Sequence, residues 1–534
     1  MIFLWNFSFV CGLLFHILQG EIFTSVYKLS ILANEEGKLL RAFKKYIGAQ
    51  IRDQRSISLE LQRLLNDLES AVTDSSQNQR YAENPINSFH LLGRFVYKWP
   101  VVYSNILCTE CRLDDAALYL NTTYQIVNTN IVHWPGEYDV KASAQALLRL
   151  RTFYYFNIDK AINGVLFDDH CQPLNPSQVL KIIRIAIDNN LLNEARLWCE
   201  ALLRRLPFTS YQDENINELA IHRFLAAIYN QAGMHKKAAE ILLQLTQSGH
   251  SEVDQEYEFY KNSINETDEK QNIALTKEEY DNHYKQLCRE NRKSPQEYSK
   301  LYCFSSVTSI PYYNAKVEIA NLQPKILLFH DVISETEAAF LRQEGSKKFV
   351  RSSVISESSD RIIPGADTVR ISQTAWLYDG PGIVEKTTHR VGLLTGLATK
   401  SSPRFSNTEA YQIVNYGIGG MYHPHHDAFE KPLWGPPNKN DPLELIGTGD
   451  RIATWMFYLN DVKVGGATVF PSINARVPVK KGSAAFWYNL LPSGENDQRV
   501  LHAGCPVVIG SKWIGNKWIR EGGQMLQRPC DLNP

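Results

Sequence analysis

The feature that most restricts this chain is a change of period near Pro311. Before it, apolar residues recur at three- and four-residue intervals; after it they come in short runs cut by Gly, Pro, Asn and Asp. The first pattern buries one face of a helix, and the second reads as strands joined by turns. A chain that switches between them is an α+β multidomain protein with its helices and its sheet in separate layers. Its 534 residues suffice for several cores.

Within residues 21–130, Leu29, Leu32, Leu39, Leu40, Phe43, Ile47 and Ile51, then Leu61, Leu64, Leu65 and Leu68, stand at helical spacing. Long helices are expected there, packed on each other or on a second copy of the chain, which makes this a candidate self-association region. Residues 72–88 read as a break. Residues 131–250 hold helical pairs, SQVLKIIRIAIDNN with NEARLWCEALLRRL and ELAIHRFLAAIYNQAG with HKKAAEILLQLTQSG. Ala195, Ala201, Ala226, Ala227 and Ala238 are small enough for close helix approach, and Gly233 can turn the chain. The second pair approximates a tetratricopeptide (TPR) unit, whose concave face suits an extended peptide. Residues 251–330 read as a charged, helical linker.

Residues 331–534 carry the strand-type runs EAYQIVNY, RIATWMFYLN, GGATVFP, ARVPVK, SAAFWYNL and PVVIG, which predict a β-sandwich or barrel. YGIGG at 416–420 has neither the spacing nor the flanks of a dinucleotide loop.

A formal net charge of −1 gives no support to nucleic-acid binding. Residues 1–20 are apolar and uncharged and read as a cleaved signal peptide, with no membrane-spanning stretch after it. Eight of the nine cysteines follow that leader, an even number that permits disulfides without giving their pairing. The CTEC pair Cys108 and Cys111 has no second CxxC with which to build a zinc site. Asn121 and Asn265 head glycosylation sequons that become usable on secretion.

The stretch HPHHD ends in a histidine-x-aspartate. On an extended segment, alternation places His425 and Asp427 on one face and sends His426 to the other. Two such ligands need a third, and His502 in RVLHAGCPV follows a strand-like run. Two histidines and a carboxylate leave coordination positions open, as non-haem Fe(II) oxygenases require, although zinc accepts the same donors. Lys512 follows His502 by ten residues, with Cys505-Pro506 and Gly510 as places to bend. A returning ammonium would hold the far carboxylate of a keto-diacid chelating the metal, with Tyr416 and Thr468 offering hydroxyls. His423 and His426 are read as non-ligands.

Taken together, NYGIGGMYHPHHD, GTGDRIATWMFYLNDVKVGGATVFP, KKGSAAFWYNLLPSGE and HAGCPVVIGSKWIGNKWIRE resemble the α subunit of collagen prolyl 4-hydroxylase, and EIFTSVYKL with NPINSFHLLGRF extend the resemblance to the N-terminal region. The resemblance implies an N-terminal dimerisation region, a TPR-like peptide-binding domain and a C-terminal double-stranded β-helix (jelly roll). It assigns Fe(2+) to His425, Asp427 and His502, and 2-oxoglutarate to Lys512 with Tyr416 and Thr468 nearby. It implies O2 as co-substrate, L-ascorbate as the reductant that rescues oxidised iron, and disulfides Cys288–Cys303 and Cys505–Cys530. The implied reaction converts proline in X-Pro-Gly repeats to 4-hydroxyproline while 2-oxoglutarate becomes succinate and CO2. The final DLNP is not a retention address, so residence in the endoplasmic reticulum lumen would depend on protein disulfide isomerase as β subunit of an α2β2 tetramer.

One departure bears on substrate. The family lines its peptide groove with tyrosines, whereas IDNNLLNEARLWCEAL and FLAAIYNQAG hold Tyr229 alone. Three other readings remain open: a related oxygenase acting on lysine or a non-collagen proline, a catalytically weak peptide-binding subunit, and a zinc hydrolase.

Overall fold

The computed structural model describes residues 25–78, 80–106, 115–131, 134–205, 217–264, 283–290, 292–352, 369–400, 406–429 and 448–531. The leader, the CTEC cysteines and the Asn265 sequon lie outside them. Two compact units form, one of Tyr27–Gln286 and one built from Leu287–Pro534.

The first unit is helical. α1 (Val26–Arg52) buries Leu29, Leu32, Leu39, Leu40, Phe43 and Ile47, while Ile51 at its end is exposed. α2 (Leu59–Gln77) buries Leu61 and Leu68, and Leu64 and Leu65 are only partly covered. Asn84 caps α3 (Pro85–Gly93), accepting from the backbone N–H groups of Ile86 and Asn87, so a further helix follows the expected break, although α2 runs on to Gln77 and shortens it. A buried ion pair ties these helices together: Arg94 donates from two nitrogens to Glu36, each at 2.8 Å, and Trp99 Nε1 donates to the same carboxylate at 3.1 Å.

α4 (Asp115–Asn130) carries Asn121, whose side-chain oxygen accepts from Tyr103 at 3.0 Å. Beyond it lie α5 (Glu137–Tyr154), α6 (Pro176–Asp188), α7 (Leu192–Leu203), α8 (Glu218–Gln231) and α9 (His235–Gln247). Asn175 and Gln178 cap α6 reciprocally behind Pro176. Ala195, Ala201, Ala226 and Ala238 are buried where helices meet, but Ala227 faces solvent, one position off the apolar face. Gly233 takes φ 74°, which lets α8 turn into α9. Among the described residues no helix is long and apolar enough to cross a membrane.

The second unit is built on strands that start earlier than residue 331. β1 (Cys303–Val307), β2 (Asn314–Asn321) and β3 (Ile326–His330) lie in the part expected to be a helical linker; alternating burial along β2 makes it a sheet strand. The others are β4 (Val350–Arg351), β5 (Gln373–Leu377), β6 (Tyr411–Tyr416), β7 (Tyr422–His425), β8 (Arg451–Tyr458), β9 (Val464–Gly465), β10 (Thr468–Phe470), β11 (Ala475–Val477), β12 (Ala484–Tyr488), β13 (His502–Gly504), β14 (Val507–Ile509) and β15 (Lys512–Arg520). A nine-stranded sheet runs β1-β2-β3-β12-β8-β15-β6-β5-β4, and a four-stranded sheet runs β11-β10-β13-β7. β9 and β14 pair separately.

The large sheet is covered on both faces, which is why its strands read as unbroken apolar runs. Ile413, Trp455, Phe457 and Ile519 share a core with Ala338 and Leu341 of α10 (Glu335–Ser346) and Val391 of α11 (Ile383–Thr395). Val414, Met456, Tyr458 and Ile514 instead pack with Phe470, Ala475 and Val477 of the small sheet. Gly345 allows α10 to sit close to the sheet, since a Cβ there would lie 2.7 Å from Ile413 Cγ2.

The disulfide differs from both implied pairings. Cys288, buried in the helix His283–Arg289, is bonded to Cys505, buried just after β13. Cys303 and Cys530 are exposed free thiols, Cys303 on the sheet's edge strand β1, so Cys288–Cys303 and Cys505–Cys530 do not form. Cys199 is a buried free thiol.

Candidate active site

Strand register brings the separated histidines together. β7 and β13 are antiparallel neighbours with His425 directly opposite His502, and Asp427 lies two residues past His425. One ligand-type atom from each of His425, Asp427 and His502 falls within 4.8 Å of the other two. His425 Nε2 is 3.9 Å from Asp427 Oδ1, and His502 Nε2 is 3.6 Å from Asp427 Oδ2. Both Nδ1 atoms face backbone carbonyls, of His423 at 2.8 Å and Val500 at 3.1 Å. Each Nδ1 therefore carries the proton, and each Nε2 presents a lone pair to the shared space. His426 is outside this group.

Burial opposes ionisation of Asp427, yet the neighbouring His502, His425 and Arg451 hold its carboxyl down at about 2. Burial, and then the facing His502, keep the His425 imidazole well below its ordinary value and so neutral. A carboxylate beside two imidazoles whose Nδ1 atoms face backbone carbonyls is a donor set that suits a divalent cation.

Several residues behind the cluster belong to no motif legible in the sequence. Thr454, on the inward face of β8, donates to Asp427 Oδ2 at 2.6 Å and accepts from Asn489 Nδ2 at 3.0 Å. Asn489 Nδ2 is in turn 3.1 Å from the Arg451 carbonyl. Arg451 donates to the Asp427 carbonyl at 3.2 Å and is gripped by Glu409 at 2.6 and 2.8 Å. Glu409 also pairs with Arg520 at 2.8 Å. The available signal was parity: Thr454 is the polar residue in phase with Met456 and Tyr458 in an otherwise apolar strand.

Lys512 opens β15 opposite Tyr416 of β6, returned there by β14 and by Gly510 at φ 108°. It is buried, and its Nζ donates to Thr468 Oγ1 at 3.2 Å. Tyr458 donates to the same hydroxyl at 3.0 Å, and the Tyr416 and Tyr458 ring centroids are each 5.7 Å from Nζ. Among the described residues no carboxylate pairs with Lys512, and burial alone pulls its pKa down to about 7. A desolvated cation facing hydroxyls is a site for an anion from outside the chain. Thr468 pairs with Gly504 while His502 begins the same strand β13, so the hydroxyl that meets Lys512 shares the small sheet with both imidazoles, whereas Lys512 and Tyr416 belong to the large sheet.

Residues 411–520 match the 2OG-Fe(II) oxygenase superfamily, the class of protein this site defines. Residues 25–168 match the N-terminal region of the prolyl 4-hydroxylase alpha-subunit. Prolyl 4-hydroxylase subunit alpha-1 of Homo sapiens is 31% identical over 96% of both chains. The Caenorhabditis elegans subunit alpha-1 is 28% identical over 96% of this chain and 91% of its own, and the Mus musculus subunit alpha-3 is 30% identical over 97% and 95%. The chain belongs to the prolyl 4-hydroxylase alpha-subunit family.

Proposed function

We propose that this chain is the catalytic α subunit of an enzyme that hydroxylates C4 of peptidyl proline in X-Pro-Gly, collagen-like sequences. His425 Nε2, His502 Nε2 and the Asp427 carboxylate hold Fe(2+), and Lys512, with Thr468 and Tyr416, holds the far carboxylate of 2-oxoglutarate. The bound iron supplies the oxidising chemistry that couples 2-oxoglutarate and O2 to hydroxylation, giving succinate and CO2, with L-ascorbate keeping it ferrous. The protein's part is to fix positions. Thr454 and Arg451 hold Asp427, the carbonyls of His423 and Val500 set both imidazole tautomers, and Lys512 orients the co-substrate from a buried position. The observation that carries this reading is a buried imidazole–carboxylate cluster whose two histidines lie on the small sheet, together with an unneutralised buried lysine of the large sheet that donates to Thr468 of that same small sheet.

In the same reading, the sheet unit is a jelly roll, the helical pairs of α6–α9 form the TPR-like peptide-binding domain, and the N-terminal helices mediate self-association. Protein disulfide isomerase, as the β subunit of an α2β2 tetramer, retains the complex in the endoplasmic reticulum lumen. Purified complex incubated with Fe(2+), 2-oxoglutarate, L-ascorbate and a panel of proline peptides tests the reading by mass spectrometry. The expected product gains one oxygen on the proline preceding glycine, with one succinate formed per hydroxylation. Oxygen gain on lysine, or peptide cleavage independent of 2-oxoglutarate, would overturn it.

A further inference from the structure

Within the helical unit, one face of α6 lines a groove of about 540 Å³. Leu180 and Ile185 are its buried floor, α5 contributes one wall with Tyr138 and Lys141, and Phe224 of α8 contributes to the other. Ser177, Lys181, Arg184 and Asp188 follow each other at intervals of four, three and four residues, so all four point into it. From Ser177 to Asp188 the helix rises about 16 Å, the length of roughly five residues of a polyproline-type strand.

The charges in this groove are unbalanced. Glu137 is satisfied from within the unit, accepting from Lys181 at 3.0 Å and from the Tyr97 hydroxyl at 2.6 Å. Lys141 and Arg184 are exposed, and among the described residues neither pairs with a carboxylate. The Arg184 guanidinium lies over Phe224, 5.3 Å from the ring centroid, which holds it in the groove mouth. Burial, and then the nearby Arg184, depress the ammonium of Lys181. Asp188 stands one turn beyond Arg184 at the end of α6, so the basic surplus is confined to the part between α5 and the middle of α6.

We infer that this groove selects an extended substrate segment carrying a glutamate or aspartate next to its prolines. The acidic side chain lies between Lys141 and Arg184, and its apolar neighbours pack on Tyr138 and Phe224. This rests on the reading of the helical pairs as a peptide-binding domain and narrows it to an acidic class of peptide. Arginine over an aromatic ring suits the task, because the ring takes its face while its N–H fork stays free for a carboxylate.

The test compares (Glu-Pro-Gly)n with (Pro-Pro-Gly)n of equal length, using full-length chain in complex with protein disulfide isomerase. The glutamate peptide is expected to show the lower KM, and that KM to rise with ionic strength. In the double variant Lys141→Glu/Arg184→Glu, its KM should rise roughly tenfold or more with kcat unchanged, while the (Pro-Pro-Gly)n KM stays within about twofold. The milder Lys141→Gln/Arg184→Gln should move the same KM in the same direction, which guards against misfolding of the reversal. If Phe224→Ala weakens both peptides but charge reversal moves both equally or neither, the acidic preference is overturned and the groove remains a peptide site. If none of these variants moves either KM, the groove holds no substrate and both readings fall.

Discussion

The two units use polar groups in opposite ways. In the sheet unit the working side chains are buried: Asp427, His502 and Lys512 are each under a tenth exposed, and each is held by a named partner. In the helical unit the groove's Lys141 and Arg184 stand in solvent over an apolar floor. Chemistry at a metal tolerates little displacement, so its residues are locked by packing and by hydrogen bonds behind them. Recognition of a long peptide needs only a surface of the right charge and shape. The difference teaches that the reaction can be common to a family while the substrate drifts, because the two properties are carried by separate cores.

Breaking one side of this comparison should leave the other standing. The largest effect is expected from His502→Ala, which removes one of the three proposed metal donors: turnover should fall to background while peptide affinity, read by fluorescence anisotropy on full-length complex, is unchanged. Next is Arg94→Leu, which strands the Glu36 carboxylate in the helical core. It should cost about 3–5 kcal/mol in chemical denaturation of that unit, without altering the metal cluster. Lys512→Ala should raise the KM for 2-oxoglutarate roughly 10- to 100-fold, the loss of a charge-assisted hydrogen bond; an unchanged KM would remove the lysine from the co-substrate site.

Two smaller effects sharpen the contrast. The folded Lys512 ammonium titrates near 7, below its ordinary 10.5, so above pH 7 the site is progressively neutral. An anion needs the charged form, so its binding takes up a proton there. The KM for 2-oxoglutarate should therefore climb with pH above 7, by up to about tenfold per unit, whereas peptide affinity in the helical groove should hardly change. The same depression means that unfolded chain binds more protons than folded chain between pH 7 and 10.5, so this lysine destabilises the fold below 7 and ceases to do so as pH rises. Thr454→Val should weaken Fe(2+) retention about tenfold in equilibrium dialysis, since Asp427 loses a donor while the strand keeps its shape.

Much of the site was legible because its chemistry lies in short strings. Alternation on HPHHD put His425 and Asp427 on one face, and the bends after His502 were visible as Pro506 and Gly510. The supporting residues were not legible, because their partners are remote in sequence. Thr454 meets Asp427 across 27 residues and Asn489 across 35, and Arg451 meets Glu409 across 42. Only β-sheet register brings such positions together, and a single sequence does not specify register over those distances. The start of the sheet was misplaced for a related reason. β1 is largely exposed and carries two serines, and β2 alternates buried with more exposed residues, so neither has the apolar density of the doubly covered central strands, while β3 is apolar but only five residues long. The cysteine pairing failed on geometry: Cys303 sits on an open edge, while Cys505 turns inward to meet Cys288.

That bond between Cys288 and Cys505 spans 217 positions and makes most of the sheet unit a closed covalent ring. His425, Asp427 and His502 are inside the ring, and Lys512 is on the tail that leaves it. A protease that nicked any one surface loop between residues 289 and 504 would open the ring without releasing a fragment, and the three donors would stay tethered to one another. Only reducing conditions would let the nicked pieces drift apart, so tolerance of this enzyme to damage is set by the redox state of the compartment that houses it.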